Sequence, residues 1–514
     1  MFKGELYPFQ EEARERMVDR GKMLLAVVMG GGKTVITINS LESLFDQQEI
    51  SRAIIIVPAA LKYQWLREIN KFTNSKAVVI DGTAKARETL WRSALRAKYV
   101  IVNPETLIND QHLFNSLRFE AMVIDEATMI KSPRAKRSRL LKKLGKKCQY
   151  RFALTGQPIE NKPEELFSIM EFVDPYVLGR FDWFDKTFIV RDKFGKPVRY
   201  RNLNMLNKSM ESAMVRKNRK DIQDQLPKVI STVIPVQFDP AGALAYKNIA
   251  SDLLTQIQQA LKTHGKGFDL WSHYHGNTAA NEAQGQIMSR LTVLRMLCDN
   301  PELVQLSAEE YIKAGGDSGS KYATEVIDNG WVNITLGNPK MNAVMDYIAN
   351  ILNEDPDNKI VLFSFFKKNL KLLAEHTKDL TNSVLFTGDM NSAEKDAAKQ
   401  KFSQDKNTRL FLSSDAGGYG VDLPQANYLI SYDLPWSAGK LDQREARIIR
   451  LSSQHPHVTI ASFVMKGSIE ERQYEMLQQK RGINEAFIDK GYDTQGRFEL
   501  TLSSLTEFLQ HSEV

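Results

Sequence analysis

Cysteine is scarce in this chain, with only Cys148 and Cys298 among 514 residues. That number and spacing exclude a disulfide-stapled framework and a cysteine-ligated zinc module, and they fit a reducing compartment. His264, His273 and His275 lie close together in sequence, but no cysteine or carboxylate stands near them at a metal-ligand spacing. No apolar run approaches the ~18 residues needed to cross a bilayer. Residues Met1 to Met17 alternate charged and apolar types, unlike an export signal. Repeats and long low-complexity tracts are lacking too. A soluble, non-exported protein is expected.

What is present is globular. At ~100–200 residues per domain the length predicts roughly three units, and the hydrophobic (42%) and charged (25%) fractions suit packed cores. The net charge of +7 is small, but its placement is uneven: residues 131–151 carry ten cations and no acid, and residues 191–220 carry ten cations against Asp192 and Glu211. These segments sum to +18, so the rest of the chain is at −11. A clustered excess of this kind suits a polyanion, although a single basic run is as readily a solvated helix face.

Short β-branched runs alternate with helical patterns: Leu24–Met29, Ala53–Val57, Ala77–Ile80, Tyr99–Val102, Met122–Ile124 and Phe152–Leu154, then Ile360–Ser364, Val384–Phe386, Leu410–Leu412, Tyr428–Ser431 and Thr459–Val464. Runs apolar throughout predict strands buried on both faces, hence two α/β lobes with parallel sheets. The expected division is a first lobe over 1–175, a basic insertion without sheet over 176–235, a helical insertion over 236–335 and a second lobe over 336–514.

Two motifs carry chemistry. The first strand runs into Met29-Gly30-Gly31-Gly32-Lys33-Thr34, where glycines let backbone N–H groups surround phosphate oxygens, Lys33 reaches the β and γ phosphates and Thr34 offers its hydroxyl to Mg²⁺. Val27 stands where the full pattern has a further glycine, so a chance glycine turn stays open on these residues alone. The strand Met122–Ile124 runs into Asp125-Glu126-Ala127-Thr128. There Asp125 would hold Mg²⁺ through water and Glu126 would orient or deprotonate the attacking water.

With these residues the chain resembles the Swi/Snf-type ATP-dependent DNA translocases of helicase superfamily two. Leu6-Tyr7-Pro8-Phe9-Gln10 is similar to the family's opening motif, Asp125–Thr128 to its acidic box, and Leu154–Asn161 to "LTGTPLQN". Residues 216–227 resemble "RRxKxD...LP", residues 294–301 resemble "LRxxCxHP", and Ser413–Leu423 resemble "STRAGGLGINL". Gln443, Arg447 and Arg450 match the Q-x-x-x-R-x-x-R spacing, while the stretch after them carries one residue more than "RAHRIGQ" before Gln454. Gln157 and Gly31 depart from the family's threonine and leucine.

The resemblance implies two RecA-like lobes with ATP between them and DNA across both. It implies nucleotide contacts from Gln10, Gly30, Gly31, Gly32, Lys33, Thr34 and Gln443, with Gln10 reading the adenine edge. Arg450 or Arg447 would be the finger on the γ phosphate, and Thr155 and Gly156 would couple the sites. DNA contacts are expected from Lys131, Arg134, Lys136, Gly417 and Gly418; Trp436 would approach DNA or pack in the core. The implied cofactors are ATP and Mg²⁺, and the implied partner is double-stranded or branched DNA, without sequence preference. A compact motor of this kind fits branch migration, fork remodelling or protein displacement in recombination, repair or replication, in the cytoplasm of a bacterial or virus-infected cell. A strand-separating DNA or RNA helicase and a non-hydrolysing DNA-binding scaffold are the alternatives; ATP turnover across nucleic-acid types separates them.

Overall fold

Strands that are apolar on both faces must be covered on both, and the fold does this twice. The computed structural model describes residues 2–156, 158, 163–191, 197–265, 268, 270, 278–333, 336–415, 421–484, 505, 506 and 509. In the first lobe the strands are β1 (Lys22–Val27), β2 (Ala53–Ile56), β3 (Ala77–Val79), β4 (Tyr99–Val102), β5 (Ala121–Ile124) and β6 (Tyr150–Leu154). There follow β7 (Ile189–Arg191), β8 (Pro197–Tyr200), β9 (Met214–Lys217) and β10 (Lys228–Val236), then β11 (Ile360–Phe363), β12 (Asn382–Phe386), β13 (Thr408–Ser413), β14 (Tyr428–Ser431) and β15 (His457–Met465). Each strand expected from an apolar run is present, with ends within two residues.

The first sheet has the order β3-β4-β2-β5-β6-β1-β9 and the second β10-β15-β14-β11-β13-β12, with the pairings in both parallel. The expectation that the stretch from about 176 to 230 contains no sheet is therefore corrected. β9 extends the first sheet beside β1, β10 forms an edge of the second beside β15, and β7 and β8 make a separate antiparallel hairpin. The basic residues around β9 and the exposed face of β10 hid them, because an edge strand is not apolar throughout.

Side chains alternate along each strand. In the first lobe Leu24, Ala26, Ile54, Ile56, Met122 and Ile124 enter one core, while Leu25, Val27, Ile55, Val123, Phe152 and Leu154 enter another. That second core continues without a break through Val361, Phe363, Phe411, Leu429, Ile448 and Ile449 of the other lobe. The lobes are thus packed together. On the far face of the second sheet lie the helices Pro240–His264, Thr278–Asp299, Pro301–Lys313 and Lys321–Asp328.

A buried charge triad ties this insertion to the second lobe. Lys340 donates to Asp299 at 2.9 Å and to Glu470 at 2.6 Å, all three being almost fully buried. Burial alone would pull the Lys340 ammonium down, but Asp299 and Glu470 reverse this and hold it above the ordinary lysine range.

Candidate active site

In a parallel sheet the carboxyl ends of the strands lie along one edge, and a crevice there is the natural place for a ligand. β1 and β5 are separated only by β6, so the glycine turn and the acidic pair emerge as near neighbours. Three further helices matter here: α1 (Pro8–Arg20), α2 (Lys33–Asp46) and α3 (Lys62–Phe72). α2 starts at Lys33 directly after the glycines, with Gly32 as its N-cap, so its unpaired N–H groups face the crevice.

Gly30 and Gly32 have φ of +80° and +81°, conformations that a side chain resists. A Cβ on Gly30 would also lie 2.5 Å from the Ile449 carbonyl oxygen, which shows how closely the second lobe approaches the phosphate loop. The Lys33 ammonium lies inside the loop and donates to the Val27 carbonyl at 3.0 Å. Burial lowers it from the ordinary lysine range; Glu126 and Asp125 oppose that, and Arg450 and Arg216 reinforce it.

Asp125 follows β5 and is buried. Its Oδ2 accepts from the indole Nε1–H of Trp65 at 2.8 Å, and its Oδ1 accepts from the Glu126 backbone N–H at 2.9 Å. Burial raises its carboxyl above the ordinary range despite Trp65, Lys33 and the Glu126 N–H, each of which stabilises the ionised form. Glu126 has φ 50° and ψ 58°, left-handed for a residue with a side chain, at a cost of about 1–3 kcal/mol. That turn follows the strand end directly, and Glu126 lines the cleft.

The second lobe supplies the opposite wall. Gln443, on the helix Ala438–Glu445, and Arg447 and Arg450 beyond it line the same cleft of about 400 Å³ as Gln10, Gly30, Gly32, Lys33, Thr34, Asp125 and Glu126. Arg447 donates to the Val421 carbonyl at 3.2 Å. Arg450 pairs with Asp422 and donates through Nε to the Ala446 carbonyl at 2.8 Å. Glu68, on α3, also faces the cleft. Burial raises its carboxyl, Lys71 opposes this, Asp422 adds to it, and Arg450 opposes it.

The remaining expected residues divide. Gln10 donates through Nε2 to the Gly31 carbonyl at 3.2 Å and accepts from the Tyr7 N–H at 3.0 Å, so its amide braces the phosphate loop. Thr155 is buried, its N–H donating to the Leu25 carbonyl at 3.1 Å, and the Gly156 carbonyl accepts from Arg216 at 3.1 Å. Arg134 and Lys136 are exposed, and Lys131 is half-buried at 3.9 Å from Glu165. Trp436 is half-buried against the second-lobe core, with the Arg295 guanidinium 5.4 Å from its ring centre. Gly417 and Gly418 lie outside the described residues.

Comparison with known families decides the assignment. The SNF2-related domain family matches residues 9–303, more than half of the chain, and the helicase conserved C-terminal domain matches residues 340–452. The chain belongs to the SNF2-related family. It is an ATP-dependent enzyme of the helicase class. This SNF2-related chain is 24% identical over 516 residues to the uncharacterized ATP-dependent helicase YqhH of Bacillus subtilis, covering 98% of this chain and 82% of that protein. It is 25% identical over 514 residues to the DNA repair protein rhp54 of Schizosaccharomyces pombe, covering 95% of this chain but only 58% of the relative. The Hef helicase domain of Pyrococcus furiosus shares the fold, with a TM-score of 0.56 at 16% identity, covering 91% of this chain and 97% of that one. Among the described residues, no helix of the chain is long and apolar enough to cross a membrane.

Sequence reasoning missed Trp65, Arg216 and Asp422 as parts of the site. Trp65 reads as one apolar residue of an amphipathic helix, and nothing in its neighbourhood marks the indole N–H as the donor to Asp125. Arg216 opens the stretch that resembles "RRxKxD...LP", yet only the fold shows it bridging the Ala26 and Gly156 carbonyls at 3.2 and 3.1 Å.

Proposed function

We propose that this SNF2-related enzyme is a Mg²⁺-dependent ATPase stimulated by double-stranded DNA, which moves along the duplex by opening and closing the cleft between its lobes. The observation that carries this reading is the single cleft in which Lys33, Asp125 and Glu126 of one lobe meet Arg447 and Arg450 of the other.

The residues present fit a metal-bound triphosphate. Thr34 and Asp125 offer hard oxygen donors suited to Mg²⁺, Asp125 acting through water. Once bound, the ion would neutralise charge on the β and γ phosphates. Lys33 is a desolvated cation inside a turn of backbone N–H groups, so phosphate oxygens offer it a stronger partner than the Val27 carbonyl. The Glu126 carboxylate orients the attacking water and accepts its proton. Arg450 must leave Asp422 to reach the γ phosphate, and its planar fork then stabilises charge that gathers there in the transition state.

Support for DNA comes from the exposed Arg134 and Lys136 beyond the acidic turn and from the relative named for DNA repair. Contacts to phosphate position the enzyme without reading bases. Branch migration, fork remodelling and protein displacement during recombination or repair are the processes this motor fits. ATP turnover measured side by side without nucleic acid and with duplex DNA, single-stranded DNA or RNA tests the reading. Duplex should stimulate most and should support triplex displacement. Equal turnover in all four conditions refutes it, and strand separation without triplex displacement makes the enzyme a helicase instead.

A further inference from the structure

Both arginines of the second-lobe wall are held by one short stretch, Val421–Leu423. The Val421 carbonyl accepts from Arg447 at 3.2 Å, the Leu423 N–H donates to the Arg447 carbonyl at 3.1 Å, and the Asp422 carboxylate pairs with Arg450. Asp422 uses Oδ2 for this pair, while its Oδ1 is buried with no hydrogen-bond partner among the described residues. An acceptor buried unpaired is unfavourable, so this carboxylate is poorly placed for stability and needs another reason to be there. The string that Ser413–Leu423 resembles has asparagine where this chain has Asp422. The negative charge in the cleft is therefore a departure of this chain, at a position where a neutral amide also suits the backbone.

The stem of Arg450 already lies against the phosphate loop. A Cβ on Gly30 would stand 3.3 Å from the Arg450 Cα and 3.4 Å from its Cγ, and the Arg450 charge helps to lower the Lys33 ammonium inside that loop. The guanidinium can therefore exchange Asp422 for a γ phosphate by turning about its side-chain bonds, with the backbone in place. Two anions compete for one cation, and Asp422 is always present. The Arg450 and Asp422 side chains are only 17% and 34% exposed, so water screens their attraction less than it would at an open surface.

We infer that Asp422 is a positioning residue that holds Arg450 off the γ-phosphate position in the nucleotide-free cleft, so that reaching the transition state includes breaking this pair. A cation engaged elsewhere lowers the share of molecules ready for the phosphate, and the observed efficiency falls by that share. The inference rests on the ATPase reading with Arg450 as finger. The test compares the unmodified chain, Asp422→Asn, Arg450→Ala and the double variant, measuring kcat and KM for ATP at saturating Mg²⁺ without nucleic acid, ADP affinity by calorimetry and a thermal midpoint. kcat/KM sets the transition state against free enzyme and ATP, so it registers the broken pair whether binding or chemistry breaks it. The Asp422→Asn substitution keeps the shape of the side chain and removes the charge that holds Arg450.

In Asp422→Asn, kcat/KM should rise about tenfold, a change of about 1.4 kcal/mol that lies between those of exposed and buried ion pairs. The gain should vanish in the Arg450→Ala background, and ADP, which has no γ phosphate, should bind all four proteins alike. An unchanged or lower kcat/KM in folded Asp422→Asn overturns the inference. So does an equal gain with and without Arg450, which makes Asp422 a charge that repels ATP directly, and so does weaker ADP binding, which makes it a nucleotide contact. If Asp422→Asn does not fold, Asp422→Ala decides by the same measurements. Full turnover in Arg450→Ala overturns the finger assignment and this inference with it, whereas an unmodified chain that does not hydrolyse ATP removes the ATPase reading itself.

Discussion

Replacing Trp65 with phenylalanine removes one N–H group and leaves most of the buried ring in place. The bond removed is the 2.8 Å interaction of Nε1 with Asp125 Oδ2, in a pair with almost no solvent to replace it: Trp65 is 1% and Asp125 7% exposed. A hydrogen bond to a charged acceptor contributes about 1.5–3 kcal/mol, which is roughly ten- to a hundredfold in any equilibrium that requires the ionised carboxylate. Burial already pushes the Asp125 carboxyl up, and Trp65 opposes this ahead of Lys33 and the Glu126 N–H.

In the proposed role Asp125 must be ionised to hold Mg²⁺, so activity should fall as pH drops through its titration. Trp65→Phe raises that titration further, so the acid limb of the kcat profile moves to higher pH. The Mg²⁺ concentration for half-maximal turnover should rise about tenfold near neutrality, the lower end of the free-energy range above. At alkaline pH and saturating Mg²⁺, turnover should return close to the unmodified value. Steady-state ATP hydrolysis across pH and Mg²⁺, with a thermal midpoint for each protein, measures all of this. An unchanged acid limb and Mg²⁺ requirement in a folded variant refute the reasoning and leave Trp65 a packing residue.

Glu126→Gln should bind nucleotide normally while losing at least about a hundredfold in turnover, the contribution of a positioned general base; normal hydrolysis removes that role. Arg450→Ala should leave ATP and duplex binding largely intact and lower saturated turnover by about 10³ or more, as a phosphate-directed finger does; Arg447→Ala under the same conditions shows which arginine acts, and normal turnover in both removes the interlobe site. Replacing Lys131, Arg134 and Lys136 together should flatten the dependence of log affinity for duplex on log salt by up to about 0.9 for each phosphate no longer neutralised, without changing ATP affinity; an unchanged slope places DNA elsewhere. Lys340→Met should destabilise the fold by about 3–5 kcal/mol, because Asp299 and Glu470 would remain buried without their cation; a denaturation midpoint close to the unmodified one refutes the triad's weight.

The parts of the site that consecutive residues define were legible. Met29–Thr34 and Asp125–Thr128 each sit at the end of an apolar run, and such an end in a parallel sheet has few places to go. Arg447 and Arg450, singled out by their spacing, lie in the opposing wall of the cleft. Contacts that close across the fold were not legible: Trp65 is 60 residues from Asp125, and Arg216 is 190 residues from Ala26. β10 escaped notice because Ile230 is 55% and Val233 37% exposed. An edge strand with one open face lacks the continuous apolar pattern by which its neighbours were found.

Clustered charge in the sequence overstates the charge available to DNA, for a physical reason. A guanidinium near the core must take carbonyl or carboxylate partners, and once it has them it is not free to release counterions from a phosphate backbone. Arg151 is buried, Lys142 bonds Ser168 and Glu171, and Arg191 bonds Asp185. Arg216 bridges two carbonyls, Lys217 meets Glu12, and Arg219 meets Glu445 of the other lobe at 3.6 Å. Among the described residues of the second basic segment, Arg216 thus ties β9 to β1 and to the end of β6, Lys217 ties it to α1, and Arg219 reaches the other lobe. The first keeps Arg134, Lys136, Lys143 and Lys146 exposed, on the loop and helix that follow the acidic turn. A duplex held there would connect directly to Asp125 and Glu126 through a single segment of chain, whereas the paired cations Arg216, Lys217 and Arg219 already have protein partners.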